Sequence, residues 1–331
     1  MKLPVIDFAS CAIRNKNIST KDLKSVGESI VKAFHSAGFV YLKDTGISKN
    51  DVEKLNKTAK QFFDLPMEKK KKYDINQECF GYIGIGVEKN SALRPADYKE
   101  GFDIPGSAFV PGRTIWPDKE VAGYSCVMKE FGGHCRFLST RILGAISLGL
   151  GLKDKEYLMK CHSRMNDERN LTTLRTHYYP RIPDECSFEP GQVRLSEHTD
   201  FGSFTILFQD KVGGLQVKAN NGEYVDATPI PGTALVNIGD ALQFWTQGRL
   251  KSTEHRILMP KTAEENVERR SIAYFVQANN DVLLSELQYE NNDIFSSRKA
   301  SQVTDEPVTV LQYLKKQYKS INLQSLDHYS E

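Results

Sequence analysis

Two hydrophobic periods alternate along the chain, and the switches between them divide it. In "STKDLKSVGESIVKAFHSAG" apolar residues recur every three or four positions, which predicts an amphipathic helix started by Ser19 or Thr20 and closed by Gly38. A second helical pattern, "SKNDVEKLNKTAKQFFDLP", begins at Ser48 and stops before Pro66, whose ring does not fit a helix interior. The longest lies between Asp118 and Leu152 and sets Phe131, Cys135, Leu138 and Ile142 on one stripe. "LPVIDF" and "FVYLKDTG" read as strands, and the Gly- and Pro-rich residues 79–117 as strand and loop. From about Leu171 to Gln277 the pattern becomes one of short strands, such as "LRTHYYP", "FTILFQD", "ALVNIG" and "RSIAYFVQ", divided by turns like "NNGE". "VTVLQYLKKQYKSI" returns to the helical period. Neither a repeat nor a low-complexity linker interrupts this order. One integrated unit is expected: a helix and strand region over 1–120, a supporting helix over 121–170, a barrel or sandwich over 171–280 and a helical segment over 281–331.

Composition narrows the class. A formal net charge of +2 over 331 residues, with no basic stripe interleaved with aromatics, argues against nucleic acid or an anionic membrane as partner. No signal-peptide pattern and no run of 18 apolar residues is present. The six cysteines are scattered without a CxxC pair, so neither a zinc knuckle nor a disulfide framework is expected, and a cytoplasmic setting is. The run "EKKKKY" reads as a solvated helix end.

The candidate chemistry starts at "RLSEHTDFGSFTILFQD". In a strand, residues two apart share a face, so His198 and Asp200 both project inward if "SEHTDF" is a strand or strand end. They supply two legs of a metal site, and the third has to come from another strand. His255 in "STEHRIL" is the candidate, with His177 in reserve. Two histidines and a carboxylate on one face of an octahedron leave three positions open, which suits non-haem Fe(II) oxygenases. The competing reading is a hydrogen-bonded strand histidine beside a turn aspartate. Arg269 and Ser271 in "ERRSIAYFVQ" also share a face, where a guanidinium fork and a hydroxyl suit a carboxylate. A dicarboxylic co-substrate would provide it; alternatively Arg269 pairs with Glu268 or Asp226.

These motifs, His198-Thr-Asp200, His255 followed by Arg256, and Arg269-x-Ser271, resemble the iron(II)- and 2-oxoglutarate-dependent dioxygenases, particularly the branch of isopenicillin N synthase and the plant flavonoid and gibberellin oxidases. "AGFVYLKDTGIS", "FFDLPMEKKKKY", "DYKEGFDI", "LRTHYYP" and "VNIGDALQFWTQGRLKSTEHR" are similar to segments of that branch in the same order. The resemblance implies a mixed α and β fold, a double-stranded β-helix (jelly roll) with flanking helices. It further implies Fe(II) on His198, Asp200 and His255, and the distal carboxylate of 2-oxoglutarate on Arg269 and Ser271. Tyr179 matches a co-substrate contact, and His177 stands where an asparagine is common. Dioxygen is then the oxidant, with succinate and carbon dioxide released and hydroxylation of a small organic molecule the default outcome.

Phe204, Phe275 and Tyr82, with Phe201, are the candidate substrate-lining residues, and they suggest an apolar or ring-bearing small molecule. A monomer or weak homodimer is expected. Two rivals stay open: an isopenicillin-N-synthase-like oxidase that needs no 2-oxoglutarate, and a non-catalytic barrel that binds a small acid.

Overall fold

Serine caps start the first two long helices. Ser19 Oγ accepts from the Asp22 amide, and Ser48 and Asp51 form a reciprocal capping box. The computed structural model describes residues 2–91, 93–112, 114–183, 189–290, 308–320 and 326. The N-terminal part comprises β1 (Val5–Asp7), α1 (Thr20–Ser36), β2 (Phe39–Lys43), α2 (Lys49–Phe63) and α3 (Met67–Lys70). β3 (Gly81–Ile83), β4 (Glu100–Pro105), α4 (Tyr124–Gly149) and α5 (Tyr157–Cys161) follow. The strand-rich part contains β5 (Thr173–Tyr179), β6 (Leu195–His198), β7 (Phe204–Gln209), β8 (Leu215–Lys218), β9 (Tyr224–Asp226), β10 (Thr233–Ile238), α6 (Asp240–Trp245), β11 (His255–Ile257) and β12 (Arg269–Val276), and α7 (Val310–Ser320) comes last.

The strands form two sheets, ordered β1-β2-β10-β7-β12-β5-β4-β3 and β6-β11-β8-β9. All named pairings are antiparallel except β1 with β2. Phe39, Tyr41 and Leu235 of the large sheet share a buried cluster with Leu195, Leu215, Val217 and Ile257 of the small one, so the two are apposed in a jelly roll. The N-terminal strands belong to the same sheet as the strand-rich part, because β2 pairs along β10 from Lys43 opposite Thr233 to Phe39 opposite Asn237.

Helices cover the outer face of the large sheet. α1 and α4 cross so closely that a Cβ on Gly27 would lie 2.0 Å from the Ala145 carbonyl oxygen, so any larger side chain there would force the helices apart. On β4 the alternation of faces separates two roles. Phe102 packs edge-on to Phe62 of α2 at 4.9 Å, whereas Asp103 turns to the interior of the roll. The Glu68–Tyr73 run departs from the expected solvated end at one position. Lys70 is buried, and its ammonium donates to Glu100 at 2.5 Å and to the Phe63 carbonyl. Among the described residues no helix is long and apolar enough to cross a membrane, and the described cysteines, Cys11, Cys79, Cys126, Cys135 and Cys161, are free.

Candidate active site

A cavity of about 290 Å³ lies within the roll, and residues of both sheets line it. His198, the last residue of β6, stands opposite His255, the first of β11, with ring centroids 4.2 Å apart. Asp200 reaches them differently from the strand alternation expected, because β6 ends at His198 and Asp200 sits in the turn that follows. That turn is held by the Asp240 amide on the Asp200 carbonyl and by the Thr199 hydroxyl on the Asp240 carboxylate. It also runs close to Gly239, where a Cβ would lie 2.3 Å from the Gly202 carbonyl oxygen. Asp200 Oδ1 ends 3.7 Å from His198 Nε2 and 3.8 Å from His255 Nε2.

The hydrogen bonds around these three residues decide which atoms stay free. His198 Nδ1 donates to the Ser196 carbonyl and His255 Nδ1 to the Thr253 carbonyl, so Nε2 is the nitrogen that each ring turns to the site. Asp200 Oδ2 accepts from Thr205 Oγ1 at 2.6 Å and Asn237 Nδ2 at 2.7 Å, so Oδ1 is the carboxylate oxygen left over. Burial, reinforced by His198, pushes the His255 pKa down to about 4 against the opposing pull of Asp200. Burial raises the Asp200 pKa, but the facing imidazoles and its two hydrogen bonds outweigh that and hold it below the usual range. Three electron-pair donors thus converge within 4.8 Å of one another. This N,N,O set fits a divalent cation of intermediate softness such as Fe(II).

Arg269, the first residue of β12, is 1% exposed, yet among the described residues no carboxylate pairs with it. Nε donates to the Gly213 carbonyl, Nη1 to Ser271 Oγ and Nη2 to Gln209 Oε1, while Tyr179 lies under the guanidinium at 4.8 Å. Glu268 lies near Lys60 and Arg270 instead, and Asp226 accepts from Gln216. A guanidinium has five N–H donors, so two remain for a ligand in the cavity. A buried cation without a counter-ion costs several kcal/mol, and an anionic ligand offsets it. His177, between Arg175 and Tyr179 on the same face of β5, lines the cavity with Nδ1 buried and, among the described residues, unpartnered. Burial and the neighbouring cations Lys99, Arg175 and Arg269 keep it neutral.

The candidate substrate residues divide. Phe201, Phe204 and Phe275 line the cavity. Tyr82 does not: its hydroxyl donates to Glu100 at 2.6 Å beside Lys70, and its ring packs against Phe62, on the helix-facing side of the sheet. The expected apolar wall is also partly charged, since Glu88, Lys99, Asp103 and Arg175 line the same cavity. Sequence reasoning missed these four, along with Asn237, Thr205, Gln277 and Tyr318 of α7. One signal was present: Arg175, His177 and Tyr179 stand two apart on one strand and so share its inward face. The burial of charges on Lys99 and Asp103 left no mark in the pattern.

The match to known proteins follows this division of the molecule. The 2OG-Fe(II) oxygenase superfamily matches residues 171–278, and the model described as non-haem dioxygenase in morphine synthesis N-terminal matches residues 3–119. The 2-oxoglutarate-dependent dioxygenase frbA of Dothideomycetidae sp. is 33% identical over 283 residues, 78% of this chain and 82% of frbA. The proline hydroxylase buaE of Petromyces alliaceus is 34% identical over 274 residues, 77% and 82% of the two chains. The crystal structure of a full-length Neurospora crassa protein in complex with alpha-KG and thymine superposes with a TM-score of 0.79 at 32% identity, covering 96% of each chain. The chain belongs to the iron(II)- and 2-oxoglutarate-dependent dioxygenases. It is an oxidoreductase that uses Fe(II), 2-oxoglutarate and dioxygen to oxidise a small molecule. An oxidase that needs no 2-oxoglutarate and a non-catalytic barrel are therefore not favoured.

Proposed function

We propose that His198, Asp200 and His255 hold the Fe(II), that Arg269 and Ser271 hold the distal carboxylate of 2-oxoglutarate, and that the substrate lies at the opposite end of the cavity and is hydroxylated there. The single observation carrying this reading is the shared cavity. It is lined by three converging donor side chains, by a buried guanidinium with unused donors, and by a further wall that neither group uses. Bound iron and co-substrate together supply the oxidation, in which 2-oxoglutarate becomes succinate and carbon dioxide.

The chain's own residues have separate tasks. The Ser196 and Thr253 carbonyls aim the two imidazoles, and Thr205 and Asn237 fix the Asp200 carboxylate in rotation. Tyr179 packs one face of the Arg269 guanidinium and narrows the co-substrate end. His177, held neutral, offers a nitrogen between the two ends and takes the place of an amide donor. The segments 1–120, 121–170, 171–280 and 281–331 act as one catalytic unit in this reading, supported by the pairing of β2 with β10 and by Tyr318 of α7 at the cavity wall. A cytoplasmic setting accords with the free described cysteines.

The substrate is a small ring compound, more polar than its aromatic neighbours alone suggest. The four charges in the wall support this, as do relatives whose names and complexes involve proline and thymine. The test is an anaerobic titration of metal-free protein with Fe(II) and 2-oxoglutarate, followed by visible absorption. A charge-transfer band that forms in the wild type and not in Asp200→Ala supports the ligand set; a band of equal strength in the variant refutes it.

A further inference from the structure

Glu88, Lys99, Asp103 and Arg175 form an ionic network inside the cavity, with the buried Asp97 carboxyl within electrostatic reach of Lys99. Asp103 accepts a bidentate fork from Arg175 through Nε and Nη2. Glu88 accepts from Lys99 and lies 2.9 Å from Arg175 Nη1. Glu88, Lys99 and Asp103 are each at most 5% exposed. Two basic and two acidic side chains balance in formal charge. Burial opposes ionisation of Glu88, but Arg175 and Lys99 outweigh it and bring its pKa down to about 2, so Glu88 is ionised at neutral pH.

Stability alone does not explain such a wall, since replacing buried ion pairs by apolar residues is often neutral or stabilising. Its hydrogen-bonding capacity is also not fully used. Lys99 has three N–H donors and, among the described residues, uses one on Glu88. Among the described residues, Gln277 Oε1, in a side chain 5% exposed that lines the cavity, has no hydrogen-bond partner, and Glu88 Oε1 has none of good geometry. Donors and acceptors therefore both remain, beside the rings of Phe275, Phe201 and Tyr318. Phe275 is itself fixed under the Arg175 guanidinium at 5.7 Å, and Phe201 and Tyr318 are 6.1 Å apart.

We propose that Glu88, Lys99, Asp103 and Arg175 are the substrate-recognition wall of the active site, and that they select a compact, net-uncharged flat ring carrying a carbonyl beside an N–H, that is, a lactam or imide. This rests on the reading of the cavity as an Fe(II) and 2-oxoglutarate site. A carbonyl takes a remaining Lys99 donor and an N–H meets the Gln277 or Glu88 oxygen, while the aromatic side chains cover the ring. A ligand with a net negative charge would add an uncompensated charge to a buried neutral network, and an apolar ring would strand the buried polar atoms. A zwitterion would have to compete with pairs that already satisfy one another.

The experiment compares uracil, orotate (the same ring with a carboxylate), L-proline and toluene. Each is added to anaerobic protein loaded with Fe(II) and 2-oxoglutarate, and the shift of the visible band is recorded. Binding to metal-free protein is measured in parallel by calorimetry. Uracil is expected to bind at least about tenfold more tightly than the other three. Glu88→Gln, which removes one anion from the wall, is expected to weaken uracil about tenfold and to admit orotate, with the half-saturation for 2-oxoglutarate unchanged. Should that variant fail to fold, Lys99→Met is expected to lose uracil while keeping the band. Preference for L-proline, orotate or toluene over uracil in the wild type overturns the proposal. So does a Glu88→Gln protein that folds and ranks the four ligands as the wild type does. Absence of the band before any ligand is added speaks against the iron reading alone, and absence of uracil heat against this proposal alone.

Discussion

The two ends of the cavity handle buried charge in opposite ways. At one end Arg269 is a lone cation, surrounded by a backbone carbonyl, a hydroxyl and an amide oxygen, with no counter-ion among the described residues. At the other, two cations and two carboxylates neutralise one another. An uncompensated buried charge specifies the charge of its ligand, because only an anion offsets its desolvation. A compensated network specifies only that its ligand brings no net charge, and leaves the finer selection to the hydrogen-bonding atoms still unpaired.

The largest effect belongs to neither end. Asp200→Ala removes the one anionic donor between the imidazoles. Turnover and stoichiometric iron binding are both expected to be lost, the latter measured by metal content after gel filtration. Retention of both would separate the triad from the chemistry. Next comes the lone cation. Arg269→Ala is expected to raise the half-saturation for 2-oxoglutarate about 10- to 100-fold, the loss associated with charged hydrogen bonds, while leaving substrate affinity nearly unchanged. An equal rise in both constants would show that the two ends do not act separately.

The neutral network has a pH signature instead. The Glu88 pKa is about 2 when folded against 4.5 as the ordinary value, so its contribution to stability is complete above pH 4.5 and lost as pH falls through about 2. That contribution is on the order of 3 kcal/mol. Burial raises the Asp103 carboxyl, which shifts stability in the opposite direction as acid is added. The difference between wild type and Glu88→Gln in urea midpoint isolates Glu88, and it should shrink between pH 5 and pH 2.5. A constant difference would mean that Glu88 is not held ionised by Lys99 and Arg175. The smallest functional effect is expected outside the cavity. Tyr82→Phe removes a hydrogen bond to a buried carboxylate and should cost about 1.5 kcal/mol of stability. Its kcat/KM should stay within about twofold of wild type; a large fall would return Tyr82 to the substrate wall.

Much of the frame was legible because local rules write it. Ser19 and Ser48 cap helices, the stripe of Phe131, Cys135, Leu138 and Ile142 is buried, and the period-two runs become β5, β7, β10 and β12. Tyr82 and Lys70 lie away from where the sequence suggested for one shared reason. An aromatic and a lysine in a loop-rich stretch look like a pocket residue and a solvated charge until Glu100, 30 positions beyond Lys70, gathers both into the packing between helix and sheet.

The sequence by itself determined the strand and helix periods, the spacing of His198 and Asp200 and that of Arg269 and Ser271, because each depends on neighbours within a few residues. Tertiary structure alone decided that His255 meets His198 across two strands, that Asp200 enters from a turn rather than a strand, and that Glu88, Lys99, Asp103 and Arg175 share one network. Those arrangements depend on register and burial between distant segments. A side chain's charge is visible in the sequence, but the partner that makes it tolerable in the interior is set only when the sheets close.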